Sequence, residues 1–252
     1  MSGQTLVLRR VLYQQGPVLL ALAGVIGLCW QYLIQMAGAM SAMDMPLAPW
    51  TADYAFMMVT MWVIMMIGMM LPSALPMILI YLRVARHNRL RFPLLAAAMF
   101  LAGYLLIWSL FGAGATLLQW QLEQWLLLSP AMASVNVIFS ALLLIIAGAY
   151  QLSPWKDACL DQCQGPVPFI TRHWRPGMSG ALIMGLIHGT FCTGCCWALM
   201  ALLFVGGVMN LLVIGVLTLL VLLEKMLPAG LLFPRITGSL LIGAGIGLVL
   251  VQ

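Results

Sequence analysis

Long apolar runs separated by short polar segments dominate the chain. A helix needs ~20 apolar residues to cross a membrane, and it satisfies its own backbone polar groups in lipid. Each run that reaches or approaches this length predicts a membrane-spanning helix. The seven predicted spans are residues 17–34, 54–82, 93–118, 131–152, 180–205, 210–223 and 236–251. We therefore expect an all-α, polytopic bundle of about seven transmembrane helices.

Composition supports this class and excludes others. Of the 252 residues, 64% are hydrophobic and 7% are charged, whereas about 25% are charged in a soluble domain. The chain has too little polar surface for an ordinary soluble enzyme, a disordered protein or a nucleic-acid binder. We expect one transmembrane helical domain over residues 1–252. The first run exceeds the ~7–15 residues of a signal-peptide core, which predicts an uncleaved anchor.

The basic residues test the number and direction of the spans. If all seven runs cross, every Lys and Arg falls on one side, and Asp44, Asp53 and Glu123 fall on the other. The positive-inside rule then predicts a cytoplasmic N-terminus. The eleven basic residues are Arg9, Arg10, Arg83, Arg86, Arg89, Arg91, Lys156, Arg172, Arg175, Lys225 and Arg235.

The second span is rich in methionine. Residues 57–77 contain eight methionines, and four of them recur at steps of three and four, which places them on one helix face. We call Met58, Met61, Met65 and Met69 the methionine stripe. Thioether sulfur is a soft ligand that suits Cu(I). Methionine also fills irregular gaps in apolar cores, and the pattern leaves both interpretations open.

Two features flank the stripe. Pro72 and Pro76 each remove a backbone donor, so they predict either a packing kink or an interrupted helix beside an ion site. The first outer loop adds methionines that either collect a soft metal or only cover the membrane surface. They are Met36, Met40, Met43 and Met45.

The fifth span combines imidazole and thiol groups. At about 100° per residue, its His and three Cys fall on one face within about 120°, together with Met184. These four residues are His188, Cys192, Cys195 and Cys196. Such ligands suit Cu(I), zinc or an iron–sulfur site. A straight helix cannot aim all four at one ion, so we expect two or three of them completed by methionine, which favours copper over zinc. Haem ranks lower, because only His188 lies in a predicted span.

Other polar residues lie near the ends of the spans. Cys159 and Cys163, between spans four and five, would share a face if helical, and either a metal-delivery site or a structural pair explains them. Glu224 and Lys225 follow the sixth span, where we expect an interfacial ion pair, with a role of Glu224 in proton movement as the alternative. The glycines of residues 238–247 predict close helix packing.

Three segments resemble a bacterial family of predicted metal-binding integral membrane proteins, often labelled copper chaperones. They are MWVIMMIGMMLPSALPM, AGAYQLSPWKDACLDQC and GLIHGTFCTGCCWALMALLFVGGVMN. The resemblance extends from about Trp50 to Gly245 and includes Glu224 and Lys225. It implies a multi-pass protein of the bacterial inner membrane that binds metal, and it supplies no reaction.

Three functions follow from these patterns. The first is non-enzymatic binding, transport or delivery of Cu(I) by the methionine stripe and the His/Cys face. Its partners are the lipid bilayer, the metal ion and a membrane or periplasmic metalloprotein, with no nucleic acid. The second is a membrane thiol–disulfide carrier that uses Cys192 and Cys195 of a Cys-x-x-Cys pair. The third is an accessory subunit of a larger membrane complex.

Overall fold

Helices make up the regular structure of the computed structural model, which describes residues 3–42, 50–129, 132–227 and 232–251. For residues 3–14 and 40–42 it describes the backbone alone. An isolated antiparallel bridge joins Leu128 and Ser134. The helices are α1 (Gly3–Ala42), α2 (Ala52–His87), α3 (Pro93–Gln124), α4 (Val137–Gln151), α5 (Pro154–Gln164), α6 (Pro166–His173), α7 (Gly177–Ala201), α8 (Leu203–Gly206), α9 (Leu211–Met226) and α10 (Leu232–Leu250).

Short polar residues begin several of these helices. The Thr51 side chain accepts a hydrogen bond from the Tyr54 backbone N–H, and Ser153 does the same for Lys156 ahead of Pro154. Such N-caps satisfy donors that the first helical turn leaves unpaired. Helix α2 continues through Pro72 and Pro76 without a break. The alternative of an interrupted second span is therefore wrong.

Within the described residues, five helices are long and apolar enough to cross a membrane, or six if the bent pair α4 and α5 counts as one span. The predicted fourth and sixth spans correspond to α4 and α9, which have 15 and 16 residues. At 1.5 Å per residue these helices are about 22–24 Å long, less than the ~30 Å of a hydrocarbon core. The all-α, multi-pass architecture is confirmed, while seven spans and their orientation stay predictions.

Glycines bring two helix pairs close together. A Cβ atom at Gly103 or Gly185 would collide with the backbone of the facing helix in the pair α3 and α7. Helices α4 and α10 meet in the same way at Gly148, Gly238 and Gly245. Small residues allow such backbone contact inside membranes. The predicted packing role of the glycines in residues 238–247 is thus confirmed for Gly238 and Gly245.

The bundle has two chemically different ends. The arginine end, where α2 ends and α3 and α7 begin, contains Arg83, Arg86, Arg89, Arg91, Arg172 and Arg175. The opposite Glu123 end contains Trp50, Glu123 and Phe204. Two basic residues predicted for loops, Lys156 and Lys225, are instead buried inside the bundle. The predicted roles of Met43, Asp44 and Met45 fall outside the described residues.

Candidate metal centre

Four thiols gather where α5 meets α7. Cys192, Cys195 and Cys196 lie on one face of α7 with at most 1% of each exposed, and Cys163 approaches from α5. The Cys195 Sγ lies 3.2 Å from the Cys196 Sγ and 3.9 Å from the Cys163 Sγ. It also lies 3.1 Å from the Cys192 carbonyl oxygen, to which it donates. We call these four residues the thiol cluster.

Helix α5 comes close to α7 at Gly194. A Cβ atom at Gly194 would lie 2.9 Å from the Cys159 Sγ, and the Tyr150 hydroxyl donates to the Gly194 carbonyl over 2.5 Å. The segment with Cys159 and Cys163 is a helix, as their shared-face spacing requires. Because α5 packs against α7, Cys163 joins the thiol cluster, while Cys159 lies at the close contact with Gly194.

Lys225 is the positive charge beside the thiols. Its Nζ lies 2.8 Å from the Cys192 Sγ and 3.1 Å from the Ser73 Oγ. The Tyr104 hydroxyl lies 3.2 Å from the same Cys192 sulfur. A buried ammonium requires such partners, because burial of an unpaired charge costs several kcal/mol. The predicted interfacial pair between Glu224 and Lys225 is wrong: both are buried, and Lys225 faces Cys192.

Glu224 points to a second polar group. It forms an ion pair of 2.6 Å with Lys156 of α5, and Gln151 and Thr237 also bond to its carboxylate. Lys156 in turn bonds to Gln151. The Gln164 side chain donates to the Glu224 carbonyl over 2.6 Å. Both ends of α5 are therefore tied to the end of α9, which holds Cys163 against α7.

Sequence reasoning missed these contacts for a definite reason. It ended the sixth span at Leu223, which placed Glu224 and Lys225 in water, whereas α9 continues to Met226. Ionisable residues inside a membrane bundle usually mark functional sites, so the adjacent acid and base were an available signal. Tyr104 had no comparable signal, since a tyrosine in an apolar span is ordinary.

His188 lies one turn before Cys192 and is surrounded by aromatic rings. Tyr104 and Phe100 stack on it with ring centroids at 5.5 Å and 5.9 Å, and Phe169 meets it edge-on at 5.2 Å. The side chain is 2% exposed. Its Nδ1 has no hydrogen-bond partner among the described residues. The ring is thus on the predicted face of α7, with a free nitrogen rather than a sulfur contact.

The methionine stripe is buried along its whole length. Met58, Met61, Met65 and Met69 each expose 1% or less, whereas the off-stripe Met57 is 41% exposed. This confirms that the stripe faces the protein interior and not lipid. The following residue, Met70, accepts a hydrogen bond on its carbonyl from Tyr104, which also contacts Cys192. The Met69 end of the stripe therefore lies beside the thiol cluster.

The spacing of two thiols is compatible with a shared metal ion. Metal–thiolate bonds of ~2.3 Å separate two sulfurs at a trigonal or tetrahedral ion by about 4 Å, and the Cys163 and Cys195 sulfurs are 3.9 Å apart. Across the described residues, no group of three or more His, Cys, Asp and Glu side chains is arranged to hold a metal ion. The sulfurs of Cys163 and Cys195 thus form a pair. Cys192 contacts Lys225 instead, and Cys196 lies within hydrogen-bond distance of Cys195. Soft pairs of this kind suit Cu(I) better than zinc, which requires four ligands.

These features define a class, a multi-pass helical membrane protein with buried soft sulfur groups. Comparison with known families narrows it. The chain belongs to the PpoB2 copper chaperone family, whose model matches residues 59–248. No curated protein and no solved structure matches the chain. The family resemblance predicted from the three sequence segments is confirmed, and copper is the metal that the family implies.

Proposed function

We propose that this protein binds Cu(I) in the membrane at the thiol cluster and delivers it to a partner. The observation that supports this most directly is the approach of Cys163 from α5 to within 3.9 Å of Cys195 on α7. Two helices then share the ion, and a shift of α5 would open the pair. Cys196, 3.2 Å from Cys195, can become a third ligand, as can Cys192 once it leaves Lys225.

The methionine stripe is the proposed path to this site. Thioethers stay neutral, so they can contact Cu(I) without a change of protonation. Met58 and Met69 are eleven residues apart, which corresponds to about 16 Å along α2. The stripe ends beside Tyr104 and Cys192. A chain of weak soft ligands that leads to a stronger thiol site favours movement toward the thiols.

His188 is a proposed further ligand near the thiol cluster. Its free Nδ1 is unusual, since buried polar atoms are normally hydrogen-bonded. One turn separates it from Cys192, so a modest ring rotation would turn this nitrogen toward the sulfurs. Cys159, beside Gly194, is proposed as the next thiol along α5, to which the ion passes before a partner metalloprotein takes it.

We also propose seven spans with a cytoplasmic N-terminus in the bacterial inner membrane. The nine basic residues other than the buried Lys156 and Lys225 follow the positive-inside pattern. A topology reporter fused at Gln124 should be external, and one fused at Asn88 cytoplasmic. Reporters that give the same side would refute this arrangement.

Metal titration of the purified protein tests the copper proposal. Cu(I) added under anaerobic conditions should bind and remain bound to the protein during gel filtration. Cys163→Ser and Cys195→Ser should each abolish this retention of Cu(I). Serine is close in size to cysteine and a poor Cu(I) ligand. Cys29→Ser is the matched control, because Cys29 is also buried but lies on α1. Equal retention in all three variants would contradict the thiol site.

The same preparation separates the alternatives. A protein that stays metal-free under excess Cu(I), with Cys192 and Cys195 titrating as a disulfide, would support the thiol–disulfide carrier. A metal-free protein with a stable co-purifying subunit would support the accessory role. The stripe has its own test: Met58, Met61, Met65 and Met69 changed together to Leu should slow copper loading, while Met57→Leu should not.

A further inference from the structure

Glu123 is a buried carboxylate with neutral partners. Its side chain is near the end of α3, and the residue is 5% exposed. The Trp50 Nε1–H donates to its Oε2 over 2.6 Å, and the Gln119 Nε2–H donates to its Oε1 over 2.8 Å. Lys156, the buried lysine nearest a carboxylate, is paired with Glu224 instead. The hydrogen bonds that Glu123 accepts within the described residues thus come from neutral donors.

Gln119 connects this carboxylate to the methionine stripe. Its Nε2 lies 3.7 Å from the Met58 Sδ and 2.8 Å from Glu123. Its Oε1 accepts from the Trp62 Nε1–H over 2.8 Å. The indole is only a donor, so it fixes the amide with its NH₂ group toward the two acceptors. A carboxylate and a thioether thus face one small polar group.

The group of Glu123, Gln119 and Met58 lies at one end of the methionine stripe, and this position suggests which kind of ligand it binds. Met58 is the first residue of the stripe, and the thiol cluster lies at the other end of it. Trp50 packs edge-on against Tyr54 with ring centroids 5.1 Å apart, and Trp120 and Trp125 are exposed nearby on the chain. Aromatic residues concentrate at membrane–water interfaces. The Glu123 end of the stripe therefore lies where a cation arrives from water.

We propose that Glu123 and Met58, oriented by Gln119 and Trp62, form an entrance site for a soft monovalent cation. The carboxylate supplies a unit negative charge for a monovalent cation. The methionine stripe, which is neutral, supplies none. The thioether supplies the soft contact that selects Cu(I) or Ag(I) over alkali ions. The cation takes the place of the Gln119 N–H groups at both acceptors. The site binds by itself, while its role as an entrance rests on the proposed function.

Binding is tested first without the thiol cluster. In a variant with Cys163, Cys192, Cys195 and Cys196 all changed to Ser, Ag(I) should still bind in detergent. Adding Glu123→Gln should weaken the tightest remaining Ag(I) site by at least tenfold, and adding Met58→Leu should weaken it as well. Asp53→Asn removes the same charge from an exposed residue at the same end and should have no such effect. Equal Ag(I) affinity with Glu123 or Gln at position 123, or equal losses in the Glu123 and Asp53 variants, would overturn the site.

Loading kinetics of the protein with its thiols intact test the entrance role. In a stopped-flow experiment with Ag(I), the thiolate absorbance reports metal loading. The Glu123→Gln variant should load at least tenfold more slowly than the parent and the Asp53→Asn control. An unchanged rate would overturn the entrance role. If the thiol cluster binds no metal, the copper proposal fails, yet the first experiment still reports on Glu123 and Met58. Should the fourfold Ser variant not fold, the kinetic comparison alone decides.

Discussion

Two buried carboxylates in this protein have opposite surroundings. Glu224 meets the Lys156 ammonium at 2.6 Å, with Gln151 and Thr237 completing its hydrogen bonds. Among the described residues, Glu123 accepts hydrogen bonds from the neutral N–H groups of Trp50 and Gln119. Both are at most 5% exposed, so burial alone does not explain the difference. A paired carboxylate ties helices together, whereas a carboxylate without a countercharge favours a cation that comes and goes.

Loss of the buried pair should have the largest effect on stability. Lys156→Met leaves Glu224 without its countercharge and gives it surroundings like those of Glu123. Removal of one partner from a buried pair costs about 3–5 kcal/mol. We expect a loss of this size in the free energy of unfolding, measured by SDS titration in mixed micelles.

The double variant Lys156→Met with Glu224→Gln is the matched control. Replacement of both charges removes the uncompensated carboxylate, so most of the lost stability should return. If Lys156→Met alone is as stable as the parent, then charge pairing is not what distinguishes Glu224 from Glu123, and the comparison fails.

The next largest effect on stability is expected at Gly194, where α5 closely approaches α7. Gly194→Ala places a methyl group 2.9 Å from the Cys159 Sγ. Overpacking of this kind costs about 1–3 kcal/mol, and the higher helix propensity of alanine offsets up to about 1 kcal/mol of that cost. Because α5 also holds Cys163, retention of Cu(I) should weaken in the same variant. Gly243→Ala is the control, since a Cβ there has nothing within 4 Å and alanine favours the helix by up to about 1 kcal/mol. Equal behaviour of the two variants would show that α5 does not depend on Gly194.

The sequence patterns predicted which helix faces are buried better than which residues of other helices those faces contact. The spacing of Met58 and Met61, and of Cys192 and Cys195, identified buried faces because helical periodicity is a local property. The approach of Cys163 to α7 depends on a 63° bend between α4 and α5, which no periodicity encodes. Lys225 was misplaced because the apolar pattern ends before the helix does.

The polar group at Glu123 was hidden for a related reason. Glu123 was predicted only as an acidic residue on the outer side, since its helix was expected to end at residue 118. Helix α3 continues to Gln124, which brings Gln119 and Glu123 onto one face, four residues apart, against α2. Trp62 and Met58 complete the group from α2, and such a contact between helices cannot be read from one chain segment.

The smallest expected effect is on the stability of the Glu123→Gln variant. The two donors, Trp50 and Gln119, both point at position 123, so the new amide can accept from one and must turn its NH₂ toward the other. A lost hydrogen bond of this kind costs about 0.5–1.5 kcal/mol, and removal of an uncompensated buried charge offsets part of that cost. We therefore expect the free energy of unfolding to change by less than about 1.5 kcal/mol, well below the effect of Lys156→Met. SDS titration of the two variants side by side gives the comparison. A loss as large as that of Lys156→Met would mean that Glu123, like Glu224, mainly holds helices together.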